Sequence, residues 1–215
     1  MERKMIITLL IWILALSGCA TIRSVGSGET VALAENEAIV FGKVIFIENN
    51  EEKIPYSGWE RAKPRMSFFR IESEKYIEWG FNPIYGKDGS FYWIMPRGTY
   101  IIPDIRFGYV ILPQVAFQVP SGADAFYLGT LKIDAETKQI IARHYIKKLN
   151  SITVVDEFDK ANEAFISRNP DFKGRIKKNL MIHDPSIPID RSLYTQQKFL
   201  TILNAIGLGL LMTTH

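Results

Sequence analysis

Reactive chemistry is scarce in this 215-residue chain. Its one cysteine is Cys19, and its three histidines, His144, His183 and His215, stand far apart. No His-Glu-x-x-His run or close histidine pair occurs, which excludes a zinc site written into local spacing. A Gly-x-Ser-x-Gly nucleophile elbow is also missing. Gly26-Ser27-Gly28 is not a phosphate loop, because no strand is predicted before it and no Gly-Lys-Ser/Thr follows. Charge of one sign is lacking too. With 26 Lys+Arg against 23 Asp+Glu, the net charge of +3 falls short of the basic field a general nucleic-acid binder needs. The leading apolar run, Met5 to Leu16, is broken only by Thr8. As a helix it reaches about 18 Å, against a hydrocarbon core of roughly 30 Å. That is too short for a comfortable permanent span, with an uncleaved signal anchor as the alternative. Nothing in the sequence asks for a metal, a cofactor or a set of catalytic residues.

What is present starts at the N-terminus. Arg3 and Lys4, the apolar run and then small residues follow the order of an export signal. Leu16-Ser17-Gly18-Cys19 resembles the lipobox of bacterial lipoproteins. The resemblance implies that residues 1–18 are removed as a signal peptide recognised through Leu16, Ser17, Gly18 and Cys19. It also implies that Cys19 becomes an acylated N-terminus and membrane anchor carrying more than one acyl chain. Two chains hold a protein firmly where one of myristoyl size binds only marginally. With Cys19 in a thioether, no disulfide, thiol nucleophile or thiolate ligand remains. Ala20, rather than Asp, follows the cysteine. By the same resemblance this favours the outer membrane of the bacterial envelope, facing the periplasm. Residues 19–34, with small and polar Thr21 to Thr30, read as a lipidated flexible tether.

At 47% hydrophobic and 23% charged, the remainder is ordinary globular protein, enough for one substantial domain and a satellite. Strand-prone runs separated by turn signals predict a β-domain over 35–155. Ala38 to Ile47 is apolar on both faces apart from Lys43, which suggests a buried first strand. Pro103 lies inside the run Thr99 to Phe107 and belongs at an edge or bulge, since it donates no ladder hydrogen bond. The alternation from Ala125 to Ile133 predicts a strand, with polar Asp134 to Lys138 as its turn and Gln139 to Leu149 returning. Ser151 to Val155 reads as one last strand. A helical C-terminal appendage over 156–215 follows, with Asp156 placed to cap a helix that Asn169-Pro170 stops. Tyr194 to Met212 reads as a second, apolar helix.

The run from Asp88 to Tyr100 (DGSFYWIMPRGTY) resembles a signature of transthyretin-like modules of the carboxypeptidase-regulatory and collagen-adhesin-B type. There a D-G-x-F turn and a P-x-G-x-Y turn join two strands. The resemblance implies a mainly β fold, an antiparallel β-sandwich of the transthyretin-like or prealbumin-like kind, on a non-catalytic scaffold. Some adhesin modules also link a first-strand lysine to a late Asn or Asp. Lys43 holds such a strand position, but the sequence assigns it no partner.

Binding is the remaining question. Aromatics concentrate between Tyr56 and Tyr109. Phe91 and Trp93 on one face, and Tyr92 and Ile94 on the other, describe a strand covered on both sides, so large rings in a core are the first reading. Trp59, in a polar segment, is the candidate glycan contact. Acidic pairs such as Glu72/Glu74 and Asp134/Glu136 read as solvated faces, and the basic stretch Arg168 to Lys178 as a solvated loop open to anionic lipid or glycan. Phe199, Leu203, Ile206 and Leu210 are too apolar to stay in water; their segment either docks on the β-domain or offers them as contacts for an envelope protein or the membrane. The expected function is a lipid-anchored binding or assembly module. Alternatives are a glycan or peptidoglycan binder and a hydrolase with dispersed residues.

Overall fold

The computed structural model describes residues 22–26, 29, 31–53, 65–73, 75–77, 84–106, 109–140 and 143–189. The expected signal peptide over residues 1–18, Trp59 and everything from residue 190 onward, including the expected helix Tyr194 to Met212, lie outside the described residues. The described backbone is mainly β. Its early strands are β1 (Arg23–Ser24), β2 (Glu37–Glu48), β3 (Glu51–Lys53), β4 (Arg65–Met66), β5 (Phe68–Arg70) and β6 (Lys75–Ile77). Then come β7 (Ser90–Pro96), β8 (Gly98–Ile102), β9 (Ile105–Arg106), β10 (Val110–Ile111) and β11 (Val115–Val119). The last group is β12 (Ala125–Ile140), β13 (Arg143–Val155), helix α1 (Phe158–Arg168), β14 (Ile176–Lys178) and β15 (Ile182–His183).

The first sheet has the order β1-β7-β2-β12-β13, with β3 beside β2 and β14 beside β12. The second runs β15-β11-β8-β5-β6, and a small third sheet runs β10-β9-β4. Most pairs are antiparallel, but β12 runs parallel to both β2 and β14. That departs from a wholly antiparallel expectation. Parallel neighbours need a long connection, and β2 and β12 have one, because β5, β6, β8 and β11 of the second sheet lie between them in sequence.

Alternation along β2 and β7 builds two cores. Val40, Phe46, Phe91 and Trp93 meet Phe68, Tyr100 and Phe117 of the second sheet in the larger one. Phe91 stacks on Trp93 at 3.9 Å, and Phe68 meets Trp93 edge-on at 5.5 Å. From the opposite face of the first sheet, Phe41, Ile94 and Tyr127 meet Phe165 of α1 and Phe172 of the turn after it. Phe165 stacks on Phe41 at 4.4 Å. A sheet apolar on both faces requires a second cover, and α1 supplies it. The helix lies where expected and ends before Asn169-Pro170, but its cap residue is Glu157, which makes no side-chain cap hydrogen bond; Asp156, one residue earlier, accepts from the Phe158 amide at 3.0 Å.

Four local expectations need correction. Asp134 to Lys138 is not a turn: β12 continues to Ile140, pairing Asp134 with Ser151 and Lys138 with Tyr145. The polar side chains find cross-strand partners instead. Asn150 donates to Asp134 at 3.0 Å, Lys147 to Glu136 at 3.0 Å, and Thr137 exchanges hydrogen bonds with Asn49. Two register shifts absorb the mismatch, and Ser151 to Val155 is simply the end of β13. Pro103 sits in the gap between β8 and β9, where the chain changes sheets and no ladder donor is required. The basic stretch is not all loop, since β14 within it pairs with β12.

The fourth correction concerns the tether. Ile22 is buried in the larger core, and Arg23 and Ser24 pair with Ile94 and Trp93. Val25, Val31 and Leu33 pack against the second core. Glycine and serine content suggested freedom, but these scattered apolar residues cover the edge of β7, which would otherwise lie bare.

Candidate functional site

Gly42 brings β2 unusually close to β12, and Lys43 follows it onto the face that α1 covers. A small cavity of about 80 Å³ lies there, lined among others by Lys43, Asp88, Ser90, Thr130, Glu157 and Lys160. One wall is a turn. Gly89 has φ +79°, and the Ser90 amide donates to Asp88 Oδ1 at 3.2 Å, so the Asp-Gly pair aims its carboxylate back at β2. Lys43 Nζ meets Asp88 Oδ2 at 2.8 Å. In the opposite wall, buried Thr130 donates its hydroxyl to Glu157 Oε2 at 2.5 Å. The Glu157 amide in turn donates to the Tyr127 hydroxyl at 2.9 Å.

The electrostatics keep Lys43 and Asp88 ionised. Burial opposes charge on Asp88, but Lys43 and two hydrogen bonds from Ser90 outweigh it and hold the carboxyl at about 2. Burial likewise opposes charge on Lys43, and Asp88, with a smaller contribution from Glu157, raises it above the usual lysine value. The sequence offered no partner for Lys43, and the structure supplies Asp88. The pair is held as ammonium and carboxylate, the opposite of the neutral amine and protonated acid that amide condensation requires. Organic-ligand sites usually measure roughly 300–1,000 Å³. This cavity therefore suits water or a small ion, and its polar groups serve to fix the turn and α1 against the sheet.

A pH-dependent result follows. A carboxyl with a depressed folded pKa stabilises above its unfolded value and loses that contribution as pH falls through the folded one. Asp88 is more than half exposed, so its contribution is under about 1 kcal/mol. The urea midpoint of Asp88→Asn should lie below that of the parent at pH 5, with the gap narrowing toward pH 2. A gap that stays constant over that range would contradict the ion pair.

The other singled-out residues are distributed as follows. Leu16, Ser17, Gly18, Cys19, Trp59, Phe199, Leu203, Ile206 and Leu210 fall outside the described residues. Trp93 is in the core and is not offered to a ligand. His183 Nδ1 lies 2.8 Å from the Pro113 carbonyl oxygen. Glu72 accepts from the Thr99 amide at 2.7 Å, a structural use. Among the described residues no three His, Cys, Asp or Glu side chains gather as a metal cluster. Sequence reading missed the pairing of Thr130 with Glu157. The one signal for this region was a lysine inside an apolar strand, and its partner lies 45 residues away. Comparison with protein-family models, curated proteins and solved structures yields no match.

Proposed function

We propose that this protein is a lipid-anchored, non-catalytic binding or assembly module of the bacterial envelope, held on the outer membrane and facing the periplasm. The observation that carries the reading is Leu16-Ser17-Gly18-Cys19 at the end of a charged and then apolar leader. Ile22, three residues after that cysteine, is buried in the larger core. We take the two sheets that share the larger core to be a transthyretin-like sandwich. Strands entering from both sheets, and the Asp88–Gly89 turn leading into β7, support this.

The partner is a protein of the envelope, engaged through Phe199, Leu203, Ile206 and Leu210. Crosslinking in cells tests this, comparing the full chain with one truncated before Tyr194. Loss of a discrete crosslinked species on truncation is expected. Equal capture by both chains would remove the tail as the docking element.

A further inference from the structure

The start of β1 and the basic turn before β14 share one rim of the first sheet. Arg23, Ile94, Ile39, Ala125 and Ile176 form a single transverse row through β1, β7, β2, β12 and β14. β1, β2, β12 and β14 all run the same way from that row. Ile22, Ala38, Asp124 and Arg175 therefore lie together on one side of it. Five strands at about 4.8 Å spacing put β1 and β14 roughly 19 Å apart across this rim.

The rim is firmly built. Arg97 donates to the carbonyls of Pro120, Ala123 and Glu35 and so ties three loops together. Two of its acids are engaged: Arg23 holds Glu37, and Arg175 holds Asp124. Glu35 and Asp171 are exposed there as well. Lys173 and Lys177 are exposed and form no ion pair with a described residue. Lys177 Nζ reaches the loop at Gly122, 3.5 Å from where a Cβ would stand.

Covalent reach now matters. Three peptide units separate Cys19 from buried Ile22, so the two Cα atoms are at most about 11 Å apart. Resting on the lipid-anchor reading, we infer that this rim lies against the anionic phospholipid headgroups of the leaflet that holds Cys19, with Lys173 and Lys177 as its contacts. The domain is seated on the bilayer rather than suspended above it. Each lysine near such a surface strengthens binding about fivefold, and salt weakens the effect.

The test uses the full acylated protein in vesicles of phosphatidylcholine with about 30% phosphatidylglycerol. A fluorophore is attached at Ser121→Cys on the rim, or at Asn49→Cys about 30 Å away at the far end of β2. A quencher on the lipid headgroups should quench the first probe several-fold more than the second. K173Q/K177Q, or 0.5 M salt, should reduce the difference while the protein stays with the vesicles. Equal quenching at the two positions, or a difference indifferent to both charge and salt, would overturn the seating. Failure of the anchor itself registers separately, as protein that neither floats with vesicles nor carries acyl mass.

Discussion

Cys19→Ser should move the protein out of the membrane fraction and abolish palmitate incorporation. The size of the effect follows from the chemistry of anchoring. Acyl chains contribute about 0.8 kcal/mol for each buried methylene, so two chains bind far beyond anything a rim of a few lysines supplies. Serine keeps the shape of the side chain but cannot carry the thioether. Because Ile22 packs in the core three residues away, the fold itself should survive the change. Fractionation with labelled palmitate, and intact mass of the recovered protein, measure it. A variant that keeps both its label and its membrane retention would end the lipoprotein reading. So would an intact Met1 in the mature parent.

The second large effect lies inside the fold. A Cβ at Gly42 would stand 2.4 Å from the carbonyl oxygen of Gly129 and 2.9 Å from Phe91 Cζ. The first neighbour is the backbone of β12 and cannot swing aside. Gly129 occupies the register shift between Tyr127 and Thr130, with φ +96°, and Val154 fills the space beside it. Gly42→Ala must therefore push apart β2 and β12, the parallel pair at the centre of the first sheet. Overpacking of this kind costs about 3 kcal/mol, which for a domain of this size lowers Tm by about 6–12 °C. Gly174→Ala is the control. It has φ +79° but open space around its Cβ, so only the backbone conformation opposes it, at about 1 kcal/mol. Thermal unfolding of both variants decides the matter. Gly42→Ala no worse than Gly174→Ala would mean that the strands do not approach as described.

The same two strands show where sequence reading succeeds and where it stops. Periodicity in Ala38 to Ile47 and Ser90 to Met95 marks strands apolar on both faces, and both proved to have two covered faces. A side chain's direction alternates residue by residue, so the pattern is local and legible. The limits of α1 were legible for the same reason, since Asp156 and Asn169-Pro170 act on the backbone beside them. Asp134 to Lys138 misled because turn composition and a solvated strand look alike until the partner strand is known. The docked N-terminal strand misled in the same way, its Gly and Ser content outweighing Ile22 and Val25.

By itself the sequence determined that the protein is β-rich, that the Asp88–Gly89 turn leads into β7, and that its one cysteine stands behind a charged and then apolar run. Those properties depend on neighbours in the chain. Only the tertiary structure decided that Lys43 belongs to Asp88 and Thr130 to Glu157, that β12 runs parallel to β2, and that the entry strand and the Lys173 turn share a rim. Each of these joins residues distant in sequence, whose meeting depends on strand order and register, and no local pattern of residue types records either.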